Sequence, residues 1–193
     1  MTEANDFIIN PNRPHVAGYF RFGEQPVNLI KWLVDRFHPT TVLDVGSGPF
    51  GSKKIFNTFG CQYVWCLDGD PQLLDRKDLR EHLITFCIVD LERSAYRFPT
   101  RMDMVFSYEC AEHIANVDNY VETLIVNCEN TLVMTAALPN QGGYHHVNEQ
   151  LNDYWIKKIT ARGFRYLEKE TMQGRATGDG YFSRSGLIFQ RIK

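Results

Sequence analysis

The sequence predicts an α/β protein: a three-layer sandwich whose helices cover both faces of a mostly parallel, seven-stranded sheet with one antiparallel strand near the C-terminus. Three observations predict it. Short apolar, β-branched runs alternate with segments of helical periodicity between residues 41 and 136. The first of these runs closes in a glycine-rich turn. After Pro139 the alternation gives way to a helix and two last runs flanking a polar connection, the pattern of a hairpin-like pair that returns one strand against the others.

The elements follow in order. Residues 1–24 are rich in Asn and Pro and turn aromatic from Tyr19 to Phe22; they read as an irregular arm. Such an arm could fold over a ligand with Arg21 at an anionic group, but reads more naturally as a strap on the sheet. Residues 25–37 place Val27, Ile30, Leu33 and Val34 at helical spacing, and His38-Pro39 ends that helix. Residues 41–45, all but Asp44 apolar or β-branched, suit a buried parallel strand. Further strands are expected at 63–67, 83–89, 102–107 and 131–136, with helices at 52–58, 71–79 and 117–127 between them. A helix over 148–162, anchored by Tyr154 and Trp155, then leads to strands at 164–168 and 186–192. The Gly-containing stretch 175–184 reads as a flap or a hairpin loop.

Composition narrows the function classes. A chain of 193 residues with 44% hydrophobic content suits one domain with one sizeable core. The formal charge of −2 gives no general attraction for a polyanion, so nucleic acid is not the expected partner; a small-molecule acceptor is. Five cysteines, none spaced C-x-x-C, suit reduced thiols rather than a disulfide framework or a zinc site. There is no basic stretch followed by an apolar run at the start and no uninterrupted apolar stretch of membrane-spanning length. The expectation is a cytoplasmic protein with no membrane partner.

The most informative segment is Asp44-Val45-Gly46-Ser47-Gly48-Pro49-Phe50-Gly51, where a strand passes into a helix. Gly46 can take backbone angles closed to other residues, Gly48 lets a ligand approach the main chain, and Gly51 lets the helix pack closely. Asp68, at the end of the second strand, can accept from both hydroxyls of a ribose. Those features serve NAD and S-adenosylmethionine alike. Asp44 separates them, because a carboxylate just ahead of the turn would crowd a pyrophosphate but could hold an ammonium.

Four segments in order then make the pattern specific: Asp44-Val45-Gly46-Ser47-Gly48, Asp68-Gly69-Asp70-Pro71, Val89-Asp90-Leu91, and residues 102–109 running into Glu112-His113-Ile114. Over roughly residues 40–140 the chain resembles the Rossmann-like, S-adenosylmethionine-dependent methyltransferases (class I). The resemblance implies S-adenosylmethionine as cofactor, with Asp44, Gly46, Ser47 and Gly48 at its methionine moiety. It implies Asp68 and Gly69 at the ribose, Asp90 at the adenine amino group, Leu91 beside the ring, and Ser107 and Glu109 bordering the donor. Asp70 suits a helix cap, and Asp103 a capping or hydrogen-bonding residue.

After the fifth strand, residues 137–150 gather two His, two Asn, two Gln, a Tyr and a Glu where loops line the site in this architecture. Methyl transfer to oxygen needs a proton acceptor near neutrality. His145 or His146 is the expected base, with His113, Asn148 and Glu149 holding the acceptor. His146 and Glu149 with Glu112 or His113 could also ligate a metal, but no spacing demands one and none is expected. In the family it resembles, the His of the Glu112-His113 element often packs rather than reacts. No Asn-Pro-Pro-Tyr-like string follows the fourth strand, which disfavours amino-group methylation of nucleic acid or glutamine. The expected activity is O-methylation of a small polar acceptor such as a sugar. A nicotinamide-dependent oxidoreductase and a non-catalytic S-adenosylmethionine-binding module are the rivals.

Overall fold

The computed structural model describes residues 26–48, 51–71, 73 and 85–193. The N-terminal arm and most of the helix expected at 71–79 lie outside these residues. In chain order the elements are α1 (Val27–Phe37), β1 (Thr41–Val45), α2 (Gly51–Thr58), β2 (Tyr63–Asp68), β3 (Phe86–Ile88), β4 (Met102–Ser107), a 3-10 turn (Ala111–His113), α3 (Val117–Asn127), β5 (Cys128–Met134), α4 (Asn152–Thr160), β6 (Phe164–Tyr166), α5 (Glu168–Arg175), α6 (Phe182–Ser185) and β7 (Leu187–Arg191).

The seven strands form one sheet in the order β3-β2-β1-β4-β5-β7-β6. β1 pairs in parallel with both β2 and β4, whereas β7 runs antiparallel to β5 and β6. This is the expected α/β sandwich, with its one reversed strand near the C-terminus. The strand order reverses between β1 and β4, which opens a crevice at the carboxyl ends of these strands.

Side-chain alternation along the strands divides the core in two. Leu43, Val45, Val105, Leu132, Met134, Leu187 and Phe189 join Tyr120, Leu124 and Trp155 of α3 and α4 on one face. Their strand neighbours Val42, Met104, Phe106, Val133 and Ile188 join Leu29, Ile30, Leu33, Phe56 and Phe182 on the other. A strand buried on both faces therefore reads as a nearly continuous apolar run, as β1 and β4 do apart from Asp44, Asp103 and Ser107.

Local chemistry sets the helix ends. His38 takes a left-handed conformation (φ 50°) and returns its N–H to the Val34 carbonyl, so α1 stops ahead of Pro39. Asn116 caps α3 by accepting from the Asn119 N–H at 3.4 Å. Asp103 accepts from the Thr40 and Thr41 N–H groups, both at 2.9 Å, the hydrogen-bonding role expected of it.

Several strand ends differ from the sequence reading, β5 spanning Cys128–Met134 rather than 131–136 and β3 only Phe86–Ile88, and two departures go further. α4 begins at Asn152 rather than 148, because Asn148 is committed to the chain before it. Its N–H donates to the Glu112 carbonyl at 3.0 Å, and its amide donates to the Ala111 carbonyl at 3.2 Å. The connection before β7 holds two helices, α5 and α6. Its loop is tied down: the Asp179 carboxylate accepts the Leu29 N–H in the first turn of α1, where Pro26 offers no side-chain cap. The Tyr181 N–H also donates to the Tyr108 hydroxyl at 3.1 Å.

Candidate functional site

The glycine turn leaves β1 on the main chain of β2, with the Gly46 and Ser47 N–H groups donating to the Leu67 carbonyl at 2.8 and 3.2 Å. Gly46 has φ 76°, and a β-carbon there would stand 2.4 Å from the Cys110 sulfur, so both conformation and space require glycine. Gly48, with φ 51°, donates its N–H to Asp68 Oδ2 at 2.8 Å. The Asp70 N–H donates to Asp68 Oδ1 at 2.9 Å. Each Asp68 oxygen thus accepts a main-chain bond, and a carboxylate oxygen can accept more than one.

Asp44 and Asp68 are both buried, at 2% and 4% exposure. The Ser52 hydroxyl donates to Asp44. Even so, burial, reinforced by the charge of Asp68, pushes the Asp44 carboxyl from 3.8 to about 7. Burial likewise raises Asp68 from 3.8 to about 6, against the main-chain donors that favour its ionised form. Two buried ionisable carboxyls beside one glycine turn are an arrangement that a cation would stabilise.

Other expected contacts are distributed differently. The Asp90 Oδ1 accepts from the Glu92 N–H at 3.0 Å while Oδ2 lies 3.3 Å from Arg93, an arrangement that also closes its own turn. Leu91 belongs to the buried core that includes Leu43 and Leu67. Ser107 is fully buried between two partners: its hydroxyl donates to the Val45 carbonyl at 2.8 Å and accepts from the Tyr120 hydroxyl at 2.9 Å. The first bond braces β4 against β1 at the strand-order reversal, and the second ties β4 to α3.

Beyond the ends of β4 and β5 lies a second polar group. Glu109 sits in the left-handed region (φ 52°), uncommon for this residue, and its N–H donates to the Thr135 hydroxyl at 2.7 Å. Glu112 is fully buried, and both its oxygens, with one of Glu109, meet no hydrogen-bond partner in good geometry among the described residues. Burial and the charge of Glu109 hold the Glu112 carboxyl well above the usual carboxylate range.

The late loop folds onto this pair because the Glu112 carbonyl accepts the N–H groups of both Val147 and Asn148. His146 Nδ1 meets Glu149 Oε1 at 2.9 Å, and Glu149 also accepts from the Asn140 and Gly142 N–H groups at 2.8 and 2.7 Å. His113 Nδ1 donates to the His145 carbonyl at 3.2 Å. The His113 and His146 rings meet edge to face at 5.1 Å, while the His145 ring turns against Tyr144. The structure therefore gathers His113, His146, Asn148 and Glu149 around Glu112, and joins His145 to the group through its main chain. Sequence reasoning named Glu112 only as an alternative metal ligand with His146 and Glu149, and expected no metal. The partners of Glu112 from the late loop lie more than thirty positions away and are drawn in by main-chain carbonyls, that of Glu112 taking the Val147 and Asn148 N–H groups.

The two polar groups adjoin through Cys110. It packs on Gly46, and its thiol is raised by burial and then by the charges of Asp68, Glu112 and Asp44.

No model of a known protein family matches the chain, and no curated protein does. Solved structures do match. The plantazolicin methyltransferase BpumL in complex with SAH is 12% identical and superposes with a TM-score of 0.66, over 95% of this chain and 91% of that one. This chain has the fold of the class I methyltransferases. An S-adenosylmethionine dependent methyltransferase from Mesorhizobium loti matches at a TM-score of 0.58 and 13% identity, over 78% of this chain and 90% of that one. The [4+2]-cyclase SpnF matches at 0.59 and 12%, over 86% and 80%. The fold thus also carries chemistry other than methyl transfer, and the reaction has to be argued from the site. Among the described residues no helix is long and apolar enough to cross a membrane.

Proposed function

We propose that the chain is an S-adenosylmethionine-dependent methyltransferase that methylates a hydroxyl of a small polar acceptor such as a sugar. The observation that carries this reading is the pair of buried carboxyls, Asp44 and Asp68, beside the glycine turn. S-adenosylmethionine brings an ammonium, a sulfonium and a ribose to such a pair and no phosphate. The pyrophosphate of NAD would meet carboxylate repulsion in the same place. BpumL, of the same fold, was solved with SAH, the demethylated product of this cofactor.

On this reading Asp44 faces the ammonium, Asp68 takes the ribose hydroxyls, and Asp90 faces the adenine amino group. The acceptor hydroxyl is held and loses its proton at the group of Glu112, His113 and His146. Of the two histidines expected there, His146 is retained, because Glu149 orients its ring as an orienting carboxylate does in other acid–base pairs. The sulfonium methyl then passes to the acceptor oxygen in a displacement that needs alignment and exclusion of water.

Thermal unfolding with S-adenosylmethionine, SAH and NAD tests the cofactor. Ligand at a hundred times its Kd stabilises by about 2.7 kcal/mol, which for a domain of this size raises Tm by about 5–10 °C. The shift is expected with both adenosyl ligands and not with NAD, and it should vanish in Asp68→Ala. A shift with NAD alone, or with none of the three, refutes the reading. Unchanged turnover on an identified acceptor after His145 and His146 are both replaced by Ala refutes the assignment of the acceptor side.

A further inference from the structure

We infer that Glu112, His113 and His146 form a binding site for a first-row divalent transition ion, with Glu149 and the His145 carbonyl positioning the two imidazoles. One ligand atom from each of the three lies within 4.8 Å of the others, a spread that one ion can bridge. The set is two imidazoles and a carboxylate, a combination that suits zinc, manganese, iron or cobalt and suits magnesium poorly.

Three independent features point the same way. The first is Glu112 itself: fully buried, with neither carboxylate oxygen meeting a hydrogen-bond partner in good geometry among the described residues. Buried polar atoms are nearly always paired, and an ion is one of the few partners that explains two such atoms on one side chain.

The second is the support behind the rings. Metal-bound histidines characteristically donate their other ring nitrogen to a carboxylate or a main-chain carbonyl. Here both do: His146 Nδ1 to Glu149 and His113 Nδ1 to the His145 carbonyl. With the proton on Nδ1, the lone pair of each neutral ring is on Nε2. Glu149 is in turn fixed by two main-chain N–H groups, so the support is anchored to the loop.

The third is Gly143. A β-carbon there would stand 2.3 Å from His146 Nε2 and 2.5 Å from its Cε1, so the loop leaves room for the ring where any other residue would displace it. His145, at φ 57°, takes the left-handed turn that aims its carbonyl at His113.

The site uses neither Asp44 nor Asp68, so it stands or falls apart from the cofactor reading. If both hold, His146 acts at the acceptor as a ligand of the cation, which would acidify a coordinated hydroxyl in place of a free imidazole base.

The test uses the full chain, stripped with a chelator and dialysed. Calorimetric titration with Zn2+ should give one saturable site per chain. Co2+ should give the visible absorption bands of a site with nitrogen ligands, and Mg2+ should give no comparable heat. Glu112→Gln should abolish the zinc site while the metal-free protein still unfolds cooperatively. Glu149→Gln, which keeps all three ligands, should weaken zinc about 10–100-fold, and Gly143→Ala should weaken it too. Should Glu112→Gln fail to fold, the Glu149 and Gly143 variants decide. Zinc binding that is absent from the wild type, or equally tight in the wild type and the variants, overturns the inference.

Discussion

Replacing Asp44 by Asn should make the ligand-free protein more stable at pH 8 while abolishing its response to S-adenosylmethionine. The reasoning rests on burial. Asp44 is 2% exposed, and its carboxyl is pushed from 3.8 to about 7 chiefly by that burial. At about 1.36 kcal/mol per pH unit, holding it ionised in the folded state costs up to about 4 kcal/mol relative to the unfolded chain. Asn is nearly isosteric, carries no charge and can still accept from the Ser52 hydroxyl, so it removes most of that cost. For a domain of this size, each kcal/mol is worth about 2–4 °C in Tm.

The sign with pH follows from linkage. A carboxyl whose folded pKa is raised binds its proton more tightly in the folded state. Its destabilising effect is therefore absent below about pH 4, grows as pH rises, and is complete above about pH 7. The Tm advantage of Asp44→Asn over wild type should be largest at pH 8 and shrink steadily toward pH 4.5. Ser52→Ala should move the wild type the other way at pH 8, since the Ser52 hydrogen bond favours the ionised form. Urea unfolding at both pH values, with equal m-values, is the assay. An Asp44→Asn protein that is folded and no more stable than wild type at pH 8, or whose difference does not change with pH, would refute the account.

Two further substitutions test the walls of the same crevice. Gly46→Ala combines a left-handed backbone (φ 76°) with a β-carbon 2.4 Å from the Cys110 sulfur; urea denaturation should show a loss of about 2–4 kcal/mol, and a neutral result would mean the turn relaxes freely. Ser107→Ala strands the Tyr120 hydroxyl and the Val45 carbonyl, for about 1–3 kcal/mol in the same assay. If bracing β4 is its whole role, the Kd for SAH should stay within about threefold, less than 1 kcal/mol; a larger loss would place Ser107 on the cofactor as well.

What the sequence disclosed depended on how local each determinant is. β1, β4 and α3 stand at the residues expected, because their apolar runs and ends are set by contiguous residues. The glycine turn and Asp68 were legible for the same reason, each lying at the end of one strand. α5 was not: its sequence is polar but for Gly174 and an exposed Met172, and it packs through two small buried residues, Thr171 and Gly174. Thr171 accepts the Ile188 N–H at 3.0 Å, and Gly174 leaves room for Phe182 and Trp32. No hydrophobic period announces such a helix. The meeting of Glu112 and His146 could be raised as a possible ligand set but no spacing demands it, since it depends on main-chain carbonyls taking N–H groups from a distant loop.

Both polar groups at the carboxyl edge of the sheet share one physical feature. Asp44 with Asp68, and Glu109 with Glu112, are carboxyl pairs in which burial raises the proton affinity of every member. A core that served only the fold would gain from amides or apolar side chains at these positions, because charges taken out of water destabilise unless they are matched. Their retention on either side of Cys110 suits a site completed by positive charge from outside the chain. A sulfonium and an ammonium beside the glycine turn, and a divalent ion at Glu112, would supply it separately. The Asp44→Asn and Glu112→Gln proteins should then fail independently, one for S-adenosylmethionine and the other for zinc. Loss of both ligands in either variant would instead mean that the two groups form a single coupled pocket.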